Sequence, residues 1–339
     1  IKIIMNSKEN FLIIAPSWIG DLVISQSLLK YLKKEYLNCR IDMIVQPGLT
    51  KLAKMMPEVQ NIYPLDIRHG ELGLMKRHEL AKQIKKYSYS TSIILPNSFK
   101  SAIIPWLANI PVRIGYNREL RLFLLNKKYS LIKHKDSMVN RYLKLVEGSY
   151  SDKIKPSLLI DREPSRLISR KYLIDNSKKN IALCPEAEYG PAKRWPAQKW
   201  IQLANFYKEK NYNVYFLGKN KSLESEYQNI LKKDSVISLL GKTSLEEAIY
   251  FLSVVDLVIT NDSGLMHITA SVNTNLISIF GSSSPFYTPP LMKHQSGEVV
   301  YKALKCSPCF KRECPLQHLN CLNNISAKEI FDKSNKYLN

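Results

Sequence analysis

Two stretches of this chain put small polar and charged residues where an apolar run gives way to a turn. Asp256-Leu257-Val258-Ile259-Thr260 leads into Asn261-Asp262-Ser263-Gly264-Leu265-Met266-His267, and a helix-like segment through Ile268, Ala270 and Val272 follows. Earlier, Asn180-Ile181-Ala182-Leu183-Cys184 leads into Pro185-Glu186-Ala187-Glu188-Tyr189-Gly190-Pro191-Ala192-Lys193-Arg194-Trp195-Pro196. A buried strand that ends in small polar residues and opens a helix aims unpaired backbone N–H groups at whatever lies beyond it, which makes an anion site. Two such turns in one domain suit a nucleotide diphosphate and point toward a sugar-nucleotide enzyme.

Each residue in these turns also has a plainer use. Lys193 and Arg194 precede a helix start, where a point charge and a guanidinium fork bind a diphosphate; loop cations are more often simply solvated. Trp195 reads as a packing residue. Asp262 and Ser263 are preferred helix caps, and a single histidine such as His267 one turn into a helix is more often structural than catalytic. It is the joint occurrence with the Lys193 turn that favours a site. Ser244 and Glu247 fit a capping box, while the neighbouring Glu246 offers a carboxylate to a ribose. In the first half, the turn Pro16-Ser17-Trp18-Ile19-Gly20-Asp21 lacks the G-x-G-x-x-G fingerprint, which disfavours a nicotinamide cofactor. Asp21 either compensates a helix N-terminus or stands at a strand end as a general base. Ser17 and the basic residues Lys100, Arg113, Arg118 and Arg121 fall in turns or near strand ends. They would suit an acceptor carrying phosphates or carboxylates.

Four of the six cysteines cluster as Cys306-x2-Cys309-x4-Cys314-x6-Cys321. Clustered thiols in a cytosolic chain suggest a metal before a disulfide framework, yet the spacing matches no standard finger. A structural metal and free thiols both stay open. Cys39 and Cys184 read as isolated core cysteines.

The elements that must position these residues alternate. Strands are expected at 11–15, 41–45, 62–65 and 91–95, with helices at 21–35, 51–56, 72–87 and 99–107. Around 151–180 the strand signal fades and charges dominate. The alternation then restarts with strands at 181–184, 213–217, 236–239, 257–260 and 276–280 and helices at 197–209, 222–231, 244–253 and 265–271. Residues 1–10 carry no motif, and 327–337 reads as a last helix. Repeated βα order favours parallel sheets covered on both faces. The expected architecture is α/β, with two doubly wound domains facing a cleft: 1–165, 178–325, and a terminal helix at 326–339 packing back on the first domain.

A chain of 339 residues accommodates two domains. Its 45% hydrophobic and 23% charged residues are ordinary for a globular protein. Fifty Lys+Arg against 29 Asp+Glu leave a formal charge of +21. That excess implies a polyanionic partner or a compositional bias, and both readings stand. The candidate polyanions are nucleic acid, an anionic membrane surface or a phosphorylated substrate; helix cations such as Lys82, Lys85 and Lys86 could rest on a membrane. No secretory signal and no run of roughly 20 apolar residues is visible, so a cytoplasmic chain is expected.

Taken in order, Ala15-Pro16-Ser17-Trp18-Ile19-Gly20-Asp21, Glu188-Tyr189-Gly190-Pro191-Ala192-Lys193-Arg194-Trp195-Pro196, Asn261-Asp262-Ser263-Gly264-Leu265-Met266-His267, Gly281-Ser282-Ser283-Ser284-Pro285 and Cys306-Ser307-Pro308-Cys309-Phe310-Lys311-Arg312-Glu313-Cys314-Pro315-Leu316 resemble the bacterial lipopolysaccharide heptosyltransferases, glycosyltransferase family 9. The Pro-Ala-Lys-Arg-Trp-Pro stretch and the cysteine segment resemble the second enzyme type of that family. The resemblance implies a GT-B fold of two Rossmann-like domains. It also implies inverting transfer of L-glycero-D-manno-heptose from ADP-L-glycero-β-D-manno-heptose to the first inner-core heptose of lipopolysaccharide.

By the same resemblance Asp21 is the catalytic base. The resemblance puts Asp262 and His267 near the donor and Glu246 near the ADP ribose; the turn reading adds Lys193, Arg194, Ser263 and Gly264 to the donor set, and Ser17 with the loop cations Lys100, Arg113, Arg118 and Arg121 is expected to face the acceptor. No cofactor or catalytic metal is expected, and any metal at Cys306, Cys309, Cys314 and Cys321 would be structural. The partners are then ADP-heptose and a phosphorylated lipopolysaccharide acceptor, with peripheral contact at the cytoplasmic face of the inner membrane and no nucleic acid. The rivals are a first- or third-type heptosyltransferase with another acceptor, a GT-B sugar-nucleotide epimerase, and a nucleic-acid-binding protein, for which no recognition module is visible.

Overall fold

Strands buried on both faces read as unbroken apolar runs, and the runs in this chain assemble into two parallel sheets. A computed structural model describes residues 9–68, 70–132, 134–232, 235–292 and 296–338. Residues 1–8 of the motif-free start and residue 339, expected within the terminal helix, lie outside them. The chain divides into two units, Ile1–Pro156 and Ser157–Asn339. The segment 157–165, expected in the first domain, therefore belongs to the second unit.

In the first unit the strands are β1 (Asn10–Ile14), β2 (Arg40–Val45), β3 (Asn61–Pro64), β4 (Thr91–Ile94), β5 (Val112–Tyr116) and β6 (Lys127–Tyr129). They pair in parallel in the order β3-β2-β1-β4-β5-β6. The helices are α1 (Ile19–Glu35), α2 (Thr50–Lys54), α3 (Leu74–Lys85), α4 (Ile103–Leu107) and α5 (Met138–Lys144). Helix α1 packs against α5, and α3 against α4. Leu12, Ile14, Ile44 and Ile94 of the sheet form one core with Leu80, Ile84, Ile103 and Ile104 of α3 and α4.

The second unit holds α6 (Arg162–Lys171), β7 (Asn180–Cys184), α7 (Ala197–Glu209), β8 (Asn213–Gly218), α8 (Glu224–Leu231), β9 (Val236–Leu240) and α9 (Leu245–Leu252). It continues with β10 (Leu257–Asn261), α10 (Gly264–Val272), β11 (Asn275–Phe280), β12 (Gly297–Tyr301), α11 (Asn320–Asn323) and α12 (Ala327–Leu338). The sheet is parallel with order β12-β11-β10-β7-β8-β9. Helix α12 packs on α7 and beside β10 and β11 of its own unit. Its apolar face explains this: Ile330, Phe331 and Leu338 are buried in one core with Trp200, Tyr207 and Ile277.

In each sheet the strand order reverses direction once, between β1 and β4 in the first unit and between β7 and β10 in the second. Doubly wound sheets bind ligands at the carboxyl ends of the strands beside such a reversal. The loops that leave those four strands are the polar turns of the sequence, together with Pro96-Asn97-Ser98.

Candidate functional site

In the second unit, the loops after β7 and β10 are locked together by one buried side chain. Asn261 accepts a hydrogen bond from the Trp195 amide (3.1 Å) and donates one to the Pro185 carbonyl (2.7 Å). Trp195 is itself buried, donates its indole N–H to the Ile325 carbonyl (3.1 Å) and meets Trp200 edge-on at 5.0 Å. These contacts hold Lys193 over the start of α10. Its ammonium pairs with Asp262, whose carboxylate also accepts from the Ser283 hydroxyl. The Lys193 and Asp262 side chains keep only 15% and 4% of their exposure. An ion pair so shielded from water holds its geometry, because losing either partner strands the other charge.

Helix α10 opens at Ser263 with no side-chain cap, so the first-turn N–H groups keep their capacity for an anion. His267, one turn on, is buried, and that burial pushes its imidazole down to about 4. Asp262 pulls the other way and Lys193 adds to the fall. The imidazole is therefore neutral at pH 7. The Lys193 ammonium also lies 5.0 Å from the Tyr189 ring centre, and the Arg312 guanidinium 5.4 Å from the same ring. This is cation–π contact on both counts.

Lys193, Asp262, Ser263, Gly264 and His267 are thus brought together. Arg194 is half-buried and donates from Nε to the Ala187 carbonyl (3.1 Å), which braces its own loop. Glu246 stands in the first turn of α9, which follows the edge strand β9 and packs against α10 and α6. The capping box beside it is formed: Ser244 and Glu247 bond reciprocally, and Glu247, held down to about 2 by Lys171 first and the Ser244 amide next, is spent on that corner.

The cysteine segment forms a strap against the same loops. The Arg312 carbonyl accepts from the Ala192 amide (3.0 Å), the Phe310 carbonyl from the Tyr189 hydroxyl (2.8 Å), and the Phe310 amide donates to the Ser282 carbonyl (2.7 Å). Gly190, at φ 155°, lets Arg312 come so close that a Cβ there would sit 2.6 Å from the Arg312 oxygen. Cys306, Cys309, Cys314 and Cys321 line a cavity of about 20 Å³ with Ala192 and Ser282. Among the described residues no three of His, Cys, Asp and Glu are arranged to hold a metal ion. The structural metal, one of the two readings left open, finds no ligand set among the described residues, and the segment's visible work is to brace the Lys193 loop.

In the first unit, Ser17 is exposed in the turn after β1, and Asp21 is half-buried in the first turn of α1. Lys100 follows β4 and donates to the Glu71 carbonyl (3.3 Å); Arg118 is exposed after β5. These four lie at the carboxyl ends of their strands. Arg113 does not. It is registered with Ser92 near the amino end of β4, and its guanidinium bonds the Leu124 and Ile110 carbonyls (2.7 Å each). Arg121 is 0% exposed, and its guanidinium donates to the carbonyls of Pro96 (2.7 Å), Ser98 (3.2 Å) and Tyr116 (2.8 Å) and to the Ser101 hydroxyl (2.9 Å). Both arginines, expected to meet the acceptor, are structural ties.

Sequence reasoning missed the roles of Asn261, Ser283, Tyr189 and Arg312. All four lie inside the conspicuous motifs, but their partners are distant in sequence.

A profile of glycosyltransferase family 9 (heptosyltransferase) matches residues 77–320. The chain belongs to this family. This family 9 enzyme is 38% identical over 298 residues to lipooligosaccharide heptosyltransferase 2 of Haemophilus influenzae, covering 83% of this chain and 86% of that one. It is 36% identical over 297 residues to lipopolysaccharide heptosyltransferase 2 of Salmonella typhimurium, covering 83% and 85%. The solved structure of Escherichia coli ADP-heptose LPS heptosyltransferase II matches with a TM-score of 0.84 and 29% identity, covering 97% of this chain and 98% of that one. The α/β GT-B fold class and glycosyltransferase activity follow. No helix among the described residues is long and apolar enough to cross a membrane.

Proposed function

We propose that this enzyme transfers L-glycero-D-manno-heptose from ADP-L-glycero-β-D-manno-heptose to the first inner-core heptose of lipopolysaccharide, with inversion. The observation that carries the reading is the buried Lys193–Asp262–Ser283 set beside the uncapped start of α10, at the strand-order reversal of the second unit. It offers a fixed cation and backbone donors to a diphosphate. The relatives named as heptosyltransferase 2, and the solved structure named for ADP-heptose, support the same assignment.

In this reading the Asp21 carboxylate takes the proton from the acceptor hydroxyl while that oxygen attacks the anomeric carbon. The bond from that carbon to the diphosphate oxygen breaks, and ADP leaves with the electron pair. Lys193 and the Ser263 and Gly264 N–H groups neutralise the charge that develops on it. Asp262 aims Lys193, and neutral His267 fills the wall behind Asp262. Arg194 and Glu246 sit around the nucleotide, while Ser17, Lys100 and Arg118 meet the phosphorylated acceptor. The enzyme acts in the cytoplasm, in peripheral contact with the inner membrane that carries its acceptor.

The test is ADP release from ADP-heptose with lipid A–Kdo–heptose against the same acceptor lacking heptose. Release only with the heptose-bearing acceptor is expected. Release only with the heptose-free acceptor would make it a first-type enzyme, and release with neither would refute the assignment.

A further inference from the structure

Outside the catalytic residues, the first unit displays apolar side chains that its own structure forces outward. Leu72, Leu74 and Met75 precede and begin α3; Leu120, Leu122 and Phe123 sit in the loop after β5. Their exposure runs from 43% at Leu72 to 84% at Leu120.

The loop after β4 joins the two groups into one surface. Lys100 donates to the Glu71 carbonyl (3.3 Å), the Phe99 amide donates to the Glu119 carboxylate (2.9 Å), and the Phe99 and Phe123 rings meet edge-on at 5.9 Å. The display is built. Buried Arg121 ties the β4 and β5 loops through Pro96, Ser98 and Tyr116, and Glu119 and Leu120 are held at φ 47° and 51°. Non-glycine residues seldom adopt that conformation, so the surrounding bonds impose it. Two cations outside the acceptor set stand beside the patch: Lys128, whose ammonium donates to the Leu122 carbonyl (3.2 Å), and Lys76, which follows Met75 and lies 3.9 Å from Asp66; the Glu119 carboxylate is already engaged by the Phe99 amide.

Apolar tips on separate rigid loops, flanked by cations, fit the interface of an anionic bilayer. Such binding combines shallow apolar insertion with attraction to acidic headgroups. We propose that this patch docks the enzyme on an anionic lipid surface, with the six apolar side chains entering the interface and the flanking cations on the headgroups. The inference rests on the lipid-linked acceptor of the proposed function. It places the contact on these loops and not on the Lys82–Lys85 face of α3.

The test is co-sedimentation of the full chain with phosphatidylcholine vesicles, with and without phosphatidylglycerol, beside transfer to a water-soluble acceptor stripped of its acyl chains. The wild type should sediment with the anionic vesicles alone and release from them as salt is raised. A Met75→Gln, Leu120→Gln, Phe123→Gln variant should lose about tenfold in vesicle affinity while keeping its melting temperature and its turnover on the soluble acceptor. A Lys82→Gln, Lys85→Gln variant should bind vesicles nearly as the wild type does. Vesicle binding unchanged in the triple variant would overturn the proposal, as would a wild type that binds neither vesicle. So would loss of self-association in the triple variant by ultracentrifugation, which would make the patch an interface between copies. Soluble-acceptor transfer without vesicle binding would sink this inference alone; vesicle binding through the patch without transfer would sink the functional reading alone.

Discussion

At the scale of single residues, the same side-chain types do opposite work depending on what their backbone leaves them facing. Arg121 is buried and spends its donors on carbonyls, whereas Lys193 is held by one carboxylate beside a helix start that can take an anion. Asp21→Ala should lower turnover by roughly two to four orders of magnitude with donor affinity near normal by calorimetry; weakened donor binding would remove the base role. Lys193→Met should weaken ADP-heptose binding and cost about a hundredfold or more in kcat/KM, and unchanged donor affinity would count against its place on the diphosphate. His267 adds a pH dependence. Its folded value is depressed to about 4 from an ordinary 6.5. The stability linked to it is therefore complete above pH 6.5 and is lost as pH falls from there toward 4. The shift corresponds to about 3 kcal/mol at most. Urea titrations across that window should show the loss in the wild type and a smaller one in His267→Gln. Equal slopes would mean that the imidazole is not the titrating group.

Elements carry the logic one step further, because they decide which residues can meet. The central strands were legible in the sequence: Phe11–Ile14, Ile181–Cys184 and Leu257–Asn261 are apolar runs that end in polar turns, so the strand-end position of Asp21, Lys193 and Asp262 could be read directly. Strands β5, β6 and β12 were not. Val112–Tyr116 carries an arginine and a glycine, Lys127–Tyr129 is a polar edge of three residues, and Gly297–Tyr301 is a half-exposed edge. Missing β5 also misplaced Arg113, whose side of the sheet depends on strand direction. Partners remained hidden for a different reason. The bonds of Asn261 to Trp195 and of Tyr189 to Phe310 span 66 and 121 residues, and no local pattern encodes them. Of these long-range contacts, the approach of Gly190 to Arg312 is the least forgiving. Gly190→Ala would force a Cβ against a backbone oxygen, so it should loosen the strap and lower the melting temperature by several degrees, with a loss of about 1–3 kcal/mol. A variant as stable as the wild type would show that the strap yields freely.

At the scale of the whole molecule, each unit has its own sheet and its own core, and the residues proposed for the donor all belong to the second. A ligand that binds one folded unit stabilises that unit by mass action, by about 2.7 kcal/mol at a hundred times its Kd. Calorimetry should therefore resolve two transitions, with ADP raising only one. A single transition that shifts as a whole would mean that the units unfold as one. The large positive charge is likewise a property of the whole chain. Surface attraction of this kind weakens as salt shortens the Debye length to about 8 Å at physiological strength, so turnover on lipid-embedded acceptor should fall with salt more steeply than turnover on a soluble one.

The cysteine strap also gives the enzyme a built-in chemical clock. Its four thiols are unequal. The backbone N–H groups of Leu319, Leu316, His318 and Gln317 make the Cys314 thiol more acidic, while burial first and the neighbouring thiols next make Cys321 less so. A thiol-directed reagent should thus label half-exposed Cys314 first and buried Cys321 last. Because the strap is bonded to Ala192, one residue from Lys193, nucleotide that steadies that loop should slow the labelling of the thiols behind it. Mass spectrometry of the labelled peptides would then report donor occupancy without any acceptor or coupled reaction, and identical labelling with and without ADP would show that strap and loop move independently.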